Sequence, residues 1–270
     1  MSIVLGIDVG GSTTKIVGIK NGKCLGMLQV RAADQITSMY GAIGNFLSKN
    51  TLFPGDISTI YLTGVGASFI DEQVYGIETH KIDEFTAIGH GALDLTKLDQ
   101  ALIVSMGTGT AFVRASKNEV LHLGGSGVGG GTIIGLATLM LGKSDIDAIL
   151  ALAEKGDIRN IDLSVRDILS KEVQTLPSDL TAANFGKIKS TASDSDIALG
   201  IINMVYETAG MLAVFSLKND TIKDVVITGT LATFPQAEKV FNEFSKLTGI
   251  NFIIPQDAVF ATALGATHLA

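Results

Sequence analysis

The amino-acid sequence predicts an α/β protein of two related lobes, each built on a mixed sheet. Two loops rich in glycine and hydroxyl residues, at 8–15 and 105–110, each join one apolar strand to the next. Each loop lies within the same order of elements, which is three strands followed by strands that alternate with helices. A repeated order of this kind predicts two related α/β lobes.

The first half of the chain contains apolar runs that predict strands near 3–9, 14–20 and 23–30. A helix is predicted near 35–49, followed by a strand at 58–63 and a short strand at 77–82. A second helix is predicted to begin near Glu84, because Asp83 before it is a favoured N-cap residue. We therefore assign residues 1–98 to a first lobe.

The second half repeats this order, with strands predicted near 101–106, 109–115 and 119–123. Several helices follow between 131 and 218, and strands at 223–229 and 250–254 then alternate with helices near 235–247 and 258–268. The four prolines all fall in apparent loops or at element starts, as their missing N–H requires. We assign residues 99–270 to a second lobe with a helical insertion at about 140–220.

Composition and charge exclude several classes of protein. With 46% hydrophobic and 17% charged residues in a chain of 270, a long disordered stretch is not expected. The net charge of −7 and the lack of any run of Lys or Arg argue against a nucleic-acid partner. Cys24 is the only cysteine, which excludes an intramolecular disulfide and a thiolate-rich metal site.

Two further features predict a cytoplasmic protein without a membrane span. The N-terminus enters a strand at once, without a charged n-region or a cleavage-site pattern. The most apolar stretch, at 197–217, is interrupted by Asn203 and Glu207. These polar residues favour a buried or dimer-forming helix over a transmembrane one.

The two loops have the composition of phosphate-binding turns. Glycine lets the backbone approach an anion and direct several N–H groups at it, and hydroxyl side chains add donors. A pair of such loops suggests two lobes that grip one polyphosphate, as in an ATP-dependent phosphotransferase. The predicted ATP contacts in the loops are Gly10, Gly11, Ser12, Thr13, Lys15, Gly107, Thr108, Gly109 and Thr110.

Asp8 is the candidate metal ligand. It ends an apolar strand beside the predicted phosphates, where a bare carboxylate would repel them, and Mg²⁺ held directly or through water would remove that conflict. The alternative is that Asp8 is a turn residue bonded to nearby backbone. Lys15 could likewise reach a phosphate oxygen or be an exposed strand lysine, and the sequence leaves both open.

The segment at 124–131 contains a literal G-x-G-x-x-G, at Gly125, Gly127 and Gly130. A dinucleotide site needs an acidic residue at the end of the next strand, but residues 149–152, at that spacing, have the pattern of a helix. We therefore reject an NAD site and predict a helix N-terminus directed at phosphate. No G-x-x-x-x-G-K-[ST] motif occurs, which excludes the P-loop class. The predicted phosphate-directed residues are Gly129, Gly130 and Gly131.

Gly229 is a candidate contact for the adenosine of the nucleotide. It lies in Thr228-Gly229-Thr230, directly after the apolar strand at 225–227. A glycine there would let the adenosine lie against the backbone, although a turn that ends a strand is the alternative.

The duplicated lobes and paired phosphate loops resemble the superfamily of acetate and sugar kinases, Hsp70 and actin, which implies actin-like, ribonuclease H-like mixed sheets. More narrowly, the chain resembles the short bacterial form of type II pantothenate kinase over nearly its whole length. The loops alone indicate only the superfamily, whereas the segment at 179–186 and the region of Glu84 point to the narrower family. The motifs that carry the resemblance lie at 8–11, 83–85, 107–110, 124–131, 154–157, 179–186 and 263–266.

The resemblance implies a kinase that uses ATP and Mg²⁺ to phosphorylate pantothenate to 4′-phosphopantothenate, the first step of coenzyme A biosynthesis. It gives Glu84 the role of catalytic base, whereas the residue alone could be a first-turn acid favoured by the helix dipole. It also implies a homodimer formed through helices of the second lobe, where the predicted helix at 194–217 is apolar on several faces. The residues implied to bind the substrate are Gly125, Thr181 and Ala182.

One position departs from the family pattern. The family carries an arginine two residues before the Gly-Gly that opens the glycine-rich segment, where it assists substrate and phosphoryl binding, and this chain has His122. A histidine offers at most a partial charge near neutral pH and a shorter reach. We predict a catalytic role for His122 when it is protonated. The alternative is a ring that packs beside Leu121 or Leu123.

Three functions therefore remain open from the sequence. The first is a pantothenate kinase, and the second is a kinase of the same fold that acts on another small hydroxyl compound, for which His122 is the main indication. The third is a non-enzymatic nucleotide-binding regulator. Glu84 and Asp8 argue against the third, because a binding module needs no base.

Overall fold

The computed structural model describes residues 3–32, 34–70, 73–169 and 180–269. The strands of the first sheet are β1 (Ile3–Val9), β2 (Thr13–Lys20), β3 (Lys23–Arg31), β4 (Ile57–Thr63) and β5 (Glu78–Lys81). They lie in the order β3-β2-β1-β4-β5. β2 runs antiparallel to its neighbours β1 and β3, and β4 and β5 run parallel to β1.

The second half of the chain builds a sheet with the same order. Its strands are β6 (Gln100–Met106), β7 (Thr110–Ser116), β8 (Val120–Ser126), β9 (Leu163–Ser164), β10 (Thr181–Ala183), β11 (Asp224–Thr228) and β12 (Asn251–Ile253). β9 and β10 pair with each other, and the other five form the sheet β12-β11-β6-β7-β8. Two mixed sheets of one topology confirm the predicted α/β fold.

The helices cover these sheets and build the insertion. They are α1 (Gln35–Lys49), α2 (Glu84–Thr96), α3 (Gly130–Leu141), α4 (Ile146–Ala153), α5 (Val165–Ile168), α6 (Asp194–Ser216), α7 (Pro235–Thr248) and α8 (Ala261–Ala266). The carboxylate of Asp83 accepts the backbone N–H of Thr86 at 2.8 Å, which starts α2 at Glu84 as predicted. The single helix predicted at 258–268 is instead the short α8 between two 3₁₀ turns.

Helices α2 and α8 pack against the sheets of opposite halves of the chain. Ile88 of α2 lies in a buried cluster with Ile103 and Val113 of the second sheet. Leu264 of α8 lies in a cluster with Val17 of the first sheet. The strands of the first sheet thus precede residue 98 and those of the second follow residue 99, whereas each of these two helices packs on the sheet of the other half.

The two helices cross with their backbones almost in contact. A Cβ at Gly91 would lie 1.8 Å from the carbonyl oxygen of Ala261, and a Cβ at Gly265 would lie 1.8 Å from that of Ala87. Only glycine permits such an approach of two backbones. The crossing ties the two lobes together at a point where neither helix has room for a side chain.

Helix α6 is long and apolar enough to cross a membrane, the one such helix among the described residues. Half of its most apolar stretch is buried inside the protein, where Ile201, Ile202 and Val205 belong to the core of the second lobe. The hydroxyl of Tyr206 donates to the carbonyl of Leu231 at 2.6 Å. These contacts agree with the prediction of a buried helix.

Candidate active site

A cleft between the two sheets holds most of the predicted site residues. It encloses a cavity of about 600 Å³, and both glycine-rich loops line it. A Cβ at Gly11 of the first loop would lie 3.7 Å from the hydroxyl oxygen of Thr108 in the second. The predicted residues that the structure brings together here are Asp8, Gly10, Gly11, Ser12, Thr13, Lys15, Glu84, Gly107, Thr108, Gly109, Thr110, His122, Gly125 and Gly229.

Each loop is a tight turn closed by its own backbone. The N–H of Gly10 donates to the carbonyl of Thr13 at 3.0 Å, and the N–H of Gly107 donates to that of Gly109 at 2.9 Å. A Cβ at Gly107 would meet no atom within 4 Å in the part of the chain that the structure describes. The backbone at Gly107 is therefore open to the close approach of a polyphosphate.

The glycines at 129–131 hold the second loop in place. The N–H groups of Gly130 and Gly131 donate to the carbonyls of Gly107 and Thr108, both at 2.9 Å. A Cβ at Gly129 would lie 2.6 Å from the carbonyl oxygen of Thr108. The sequence predicted that these N–H groups point at phosphate. The structure differs from that prediction, because the N–H groups of Gly130 and Gly131 already donate to carbonyls of the second loop.

Asp8 and Lys15 form a buried ion pair in the cleft. The pairing of β1 with β2 places the two residues opposite each other, and Lys15 Nζ lies 3.0 Å from Asp8 Oδ2. The side chains of Lys15 and Asp8 are only 10% and 8% exposed, respectively. Because Lys15 is buried, it is not the exposed strand lysine of the alternative prediction. The pair is a charge-assisted hydrogen bond in a poorly solvated place.

Asp8 also keeps an oxygen that suits a metal ion. Lys15 bonds to Oδ2, whereas Oδ1 lies 2.5 Å from where a Cβ on Gly64 would stand, so only glycine leaves room beside it. Mg²⁺ is commonly held by one or two carboxylates together with substrate phosphates and water, which this single oxygen fits. Among the described residues no group of three or more His, Cys, Asp or Glu could hold a metal.

Glu84 stands in the first turn of α2 and lines the same cavity as Asp8. Burial raises the pKa of its carboxyl group above the ordinary 4.5, and the charge on Asp8 raises it further, while Lys15 opposes the shift. Asp83 already caps the helix, so Glu84 is not needed as the cap. A carboxylate with a raised pKa is a stronger general base than an ordinary glutamate.

His122 packs on an aromatic ring. Its imidazole stacks on the ring of Phe85, with the centroids 3.7 Å apart and the planes 8° from parallel. The alternative prediction placed the ring beside Leu121 or Leu123, and both of these leucines are exposed. Because Phe85 directly follows Glu84, the histidine and the candidate base are connected through one residue.

Thr181 and Ala182 lie outside the cleft, on β10 of the insertion. The hydroxyl of Thr181 donates to Glu207 at 2.7 Å, and both residues line a second cavity of about 740 Å³. Asp179, at the start of the same motif, lies outside the described residues. Within one chain, the structure thus does not bring Thr181 and Ala182 to Glu84.

Known proteins resemble this chain over nearly its full length. The family described as Fumble matches residues 95–240, more than half of the chain. The chain belongs to the Fumble family. A protein named type II pantothenate kinase from Staphylococcus saprophyticus is 28% identical, over 98% of this chain and 99% of its own length. Proteins of the same name from Staphylococcus haemolyticus and Bacillus cereus are 28% and 26% identical over 98% of this chain and 99% and 98% of their own length.

Solved structures share the fold at low sequence identity. The activator of 2-hydroxyisocaproyl-CoA dehydratase from Clostridium difficile, with bound ADPNP, has a TM-score of 0.71 at 18% identity, over 99% of this chain and 94% of its own. Component A of the (R)-2-hydroxyglutaryl-CoA dehydratase of Acidaminococcus fermentans has the same TM-score at 19% identity, over 100% and 98%. These similarities establish a common two-lobed fold and no more.

Sequence reasoning missed several residues in and beside the cleft of this Fumble-family chain, of which Gly64, next to Asp8, is the clearest. Gly64 follows Thr63 at the end of β4, just as Gly229 follows Thr228 at the end of β11, and both glycines have a φ of +86°. The repeated Thr-Gly after the fourth strand of each sheet is the signal that could have found it. The residues that line the cleft and were not predicted are Val65, Phe85, Ile88, Ser105, Ala111, Ser126, Gly127, Thr230, Val259 and Thr262.

Proposed function

We propose that this protein is an ATP-dependent kinase that phosphorylates pantothenate to 4′-phosphopantothenate, the first step of coenzyme A biosynthesis. The observation that carries the proposal is the poorly solvated carboxylate of Glu84 in a cleft lined by two glycine-rich loops. This arrangement offers a base beside a cradle for a polyphosphate. The full-length relatives named type II pantothenate kinase support pantothenate as the acceptor.

The nucleotide would lie with its phosphates between the two loops, where the backbones of Gly11 and Gly107 face the cleft. The ADPNP bound to a protein of the same fold supports this placement. Asp8 is the residue that would hold Mg²⁺, and the ion would neutralise charge on the transferring phosphoryl group. Gly229, on the second sheet, would let the adenosine lie against the backbone.

The transfer needs one proton acceptor and well-placed charges. The hydroxyl oxygen of the acceptor forms a bond to the γ-phosphorus, and the bond to the β,γ-bridging oxygen breaks, so that ADP leaves with that electron pair. The hydroxyl proton passes to the carboxylate of Glu84. Lys15, held beside Asp8, places a positive charge near the phosphates.

A second candidate is a kinase of the same fold that acts on another small hydroxyl compound. The position of the family arginine is taken by His122, whose ring stacks on Phe85. The acceptor would therefore meet a flat aromatic wall in place of the forked donors of a guanidinium group. A nucleotide-binding regulator without activity has less support, because it leaves Glu84 without a role.

A cytoplasmic homodimer formed through the second lobe is part of the proposal. Met211, Leu212 and Phe215, near the end of α6, are 36%, 37% and 63% exposed, and a second copy would cover this apolar surface. Thr181 and Ala182 lie outside their own cleft, so a substrate role for them requires the cleft of the second copy. Light scattering after size exclusion measures the mass, and a monomer at micromolar concentration would contradict the dimer.

The test of function is ATP turnover against pantothenate, pantetheine and a panel of small alcohols, with the wild type and Glu84→Gln. Pantothenate-dependent release of ADP that disappears in the Gln variant is the expected result. Turnover with another alcohol alone would favour the second candidate. Binding of ATP without turnover of any acceptor would overturn the kinase assignment.

A further inference from the structure

We propose that His122 is a positioning residue, which fixes the carboxylate of Glu84 by stacking on Phe85 and does not act through its charge. The proposal rests on the proposed kinase function, because it takes Glu84 as the base. It adds to that function a physical role for the histidine at position 122, whose ring stacks on the residue next to the base.

The stacked pair connects the second sheet to the turn that carries the base. With centroids 3.7 Å apart and planes 8° from parallel, the rings of His122 and Phe85 are closely stacked. Phe85 also packs on the buried cluster that contains Ile88 of the same helix. The ring of Phe85 is thus held from two sides, and its neighbour Glu84 is held with it. Offset-stacked aromatic pairs add stabilisation beyond the area that they bury.

Strand β8 is shaped to present His122 at this point. His122 lies opposite Val113, which is buried in the cluster beneath α2, so the two side chains share the face that α2 covers. The register then shifts by one residue at Leu123, after which Gly125 lies opposite Ala111. Bulges of this kind redirect side chains next to functional sites. Here the bulge keeps His122 and Gly125 on one face, and both line the cleft.

The proposal is tested with variants that separate the ring from its charge. His122→Phe keeps an aromatic ring and removes the charge, whereas His122→Leu removes both. We expect His122→Leu to lower kcat roughly tenfold to a hundredfold, the scale of a catalytic group misplaced by about 1 Å, without changing the KM for ATP. We expect His122→Phe to restore kcat to within about threefold of wild type, with the pH–rate profile of the wild type.

One further variant, at Leu121, completes the design. Leu121→Ala, on the opposite face of β8, is the matched control and should leave kcat unchanged. His122→Arg does not discriminate, because a guanidinium group both carries charge and stacks on aromatic rings.

Two outcomes would overturn the proposal. If His122→Phe loses as much activity as His122→Leu, the imidazole acts through charge or hydrogen bonding. If both keep full activity, the ring only fills a strand position.

Absence of turnover in the wild type with every acceptor would overturn the kinase function instead. The stack is then still measured through thermal unfolding of Phe85→Leu, His122→Leu and the double variant. A loss in the double variant smaller than the sum of the single losses supports the contact, and additive losses contradict it.

Discussion

Replacing Gly91 with alanine tests whether the crossing of α2 and α8 holds the two lobes together. The added methyl group would lie 1.8 Å from the carbonyl oxygen of Ala261, 2.6 Å from its carbonyl carbon and 3.0 Å from the backbone nitrogen of Gly265. All three are backbone atoms, so no change of rotamer relieves the clash. The helices themselves must move apart, although Ile88 and Leu264 anchor them in different cores.

The expected loss of stability follows from these distances. Non-bonded heavy atoms prefer a separation of about 3.5–4.0 Å, so the helices must part by roughly 1.5 Å or more. Overpacking of this kind costs about 1–3 kcal/mol, and a clash between two backbones belongs at the upper end. The better helix propensity of alanine offsets about 1 kcal/mol. We expect a net loss of about 2 kcal/mol, which lowers the unfolding midpoint by about 4–8 °C.

The assay is thermal unfolding followed by circular dichroism, with Gly44→Ala as the matched control. Gly44 lies in α1, where an added Cβ would meet no atom of the described residues within 4 Å. The same exchange there should stabilise the protein by about 1 kcal/mol and raise the midpoint by about 2–4 °C. An unchanged or raised midpoint in a folded Gly91→Ala variant would refute the close crossing.

Four other predictions concern the cleft and an ion pair between the lobes. Gly107→Val should weaken ATP binding roughly tenfold or more in titration calorimetry, because its side chain enters the space open to phosphate; unchanged affinity in a folded variant would remove the loop assignment. Glu84→Gln should lower kcat about a hundredfold while ATP binding persists, and near wild-type turnover would restore a purely structural role. The base acts deprotonated and its pKa is raised, so the wild-type rate should fall with decreasing pH already above 4.5. Arg31→Gln breaks an exposed 2.7 Å ion pair with Asp147 across the lobes and should cost less than about 1 kcal/mol in unfolding experiments.

The strands are predictable because most of them are continuous apolar runs bounded by turn residues. β1 is predicted at 3–9 and observed at Ile3–Val9, since its sequence is apolar up to Asp8 and a glycine pair follows it. The last helix is less predictable, because α- and 3₁₀-helices have nearly the same spacing of apolar residues. The backbone there is decided by tertiary contacts, including the crossing at Gly265.

Many residues of the candidate site are predictable because motifs of neighbouring residues mark them. The contacts between their side chains are not predictable, because the fold makes them. The pairing of Asp8 with Lys15 depends on the register of β1 and β2, which spacing alone does not fix. The stack of His122 on Phe85 depends on α2 packing against the sheet of the other half of the chain. The sequence around a helical glycine such as Gly91 does not indicate that the backbone of another helix approaches it.

The duplicated sheets also show that the two loops are chemically unequal. Asp8 lies opposite Lys15, whereas the equivalent position in the second sheet is Ser105, which lies opposite Ala111. The first copy therefore brings an ion pair to the cleft, and the second brings a hydroxyl group at the same place. Charged side chains matter most near the phosphoryl group on which charge develops during transfer. Backbone N–H groups and hydroxyl groups suffice to hold the rest of a polyphosphate. Because Glu84 lines the same cavity as Asp8 and the charge of Asp8 raises its pKa, we expect the terminal phosphate to lie against the first loop and the remainder of the nucleotide against the second.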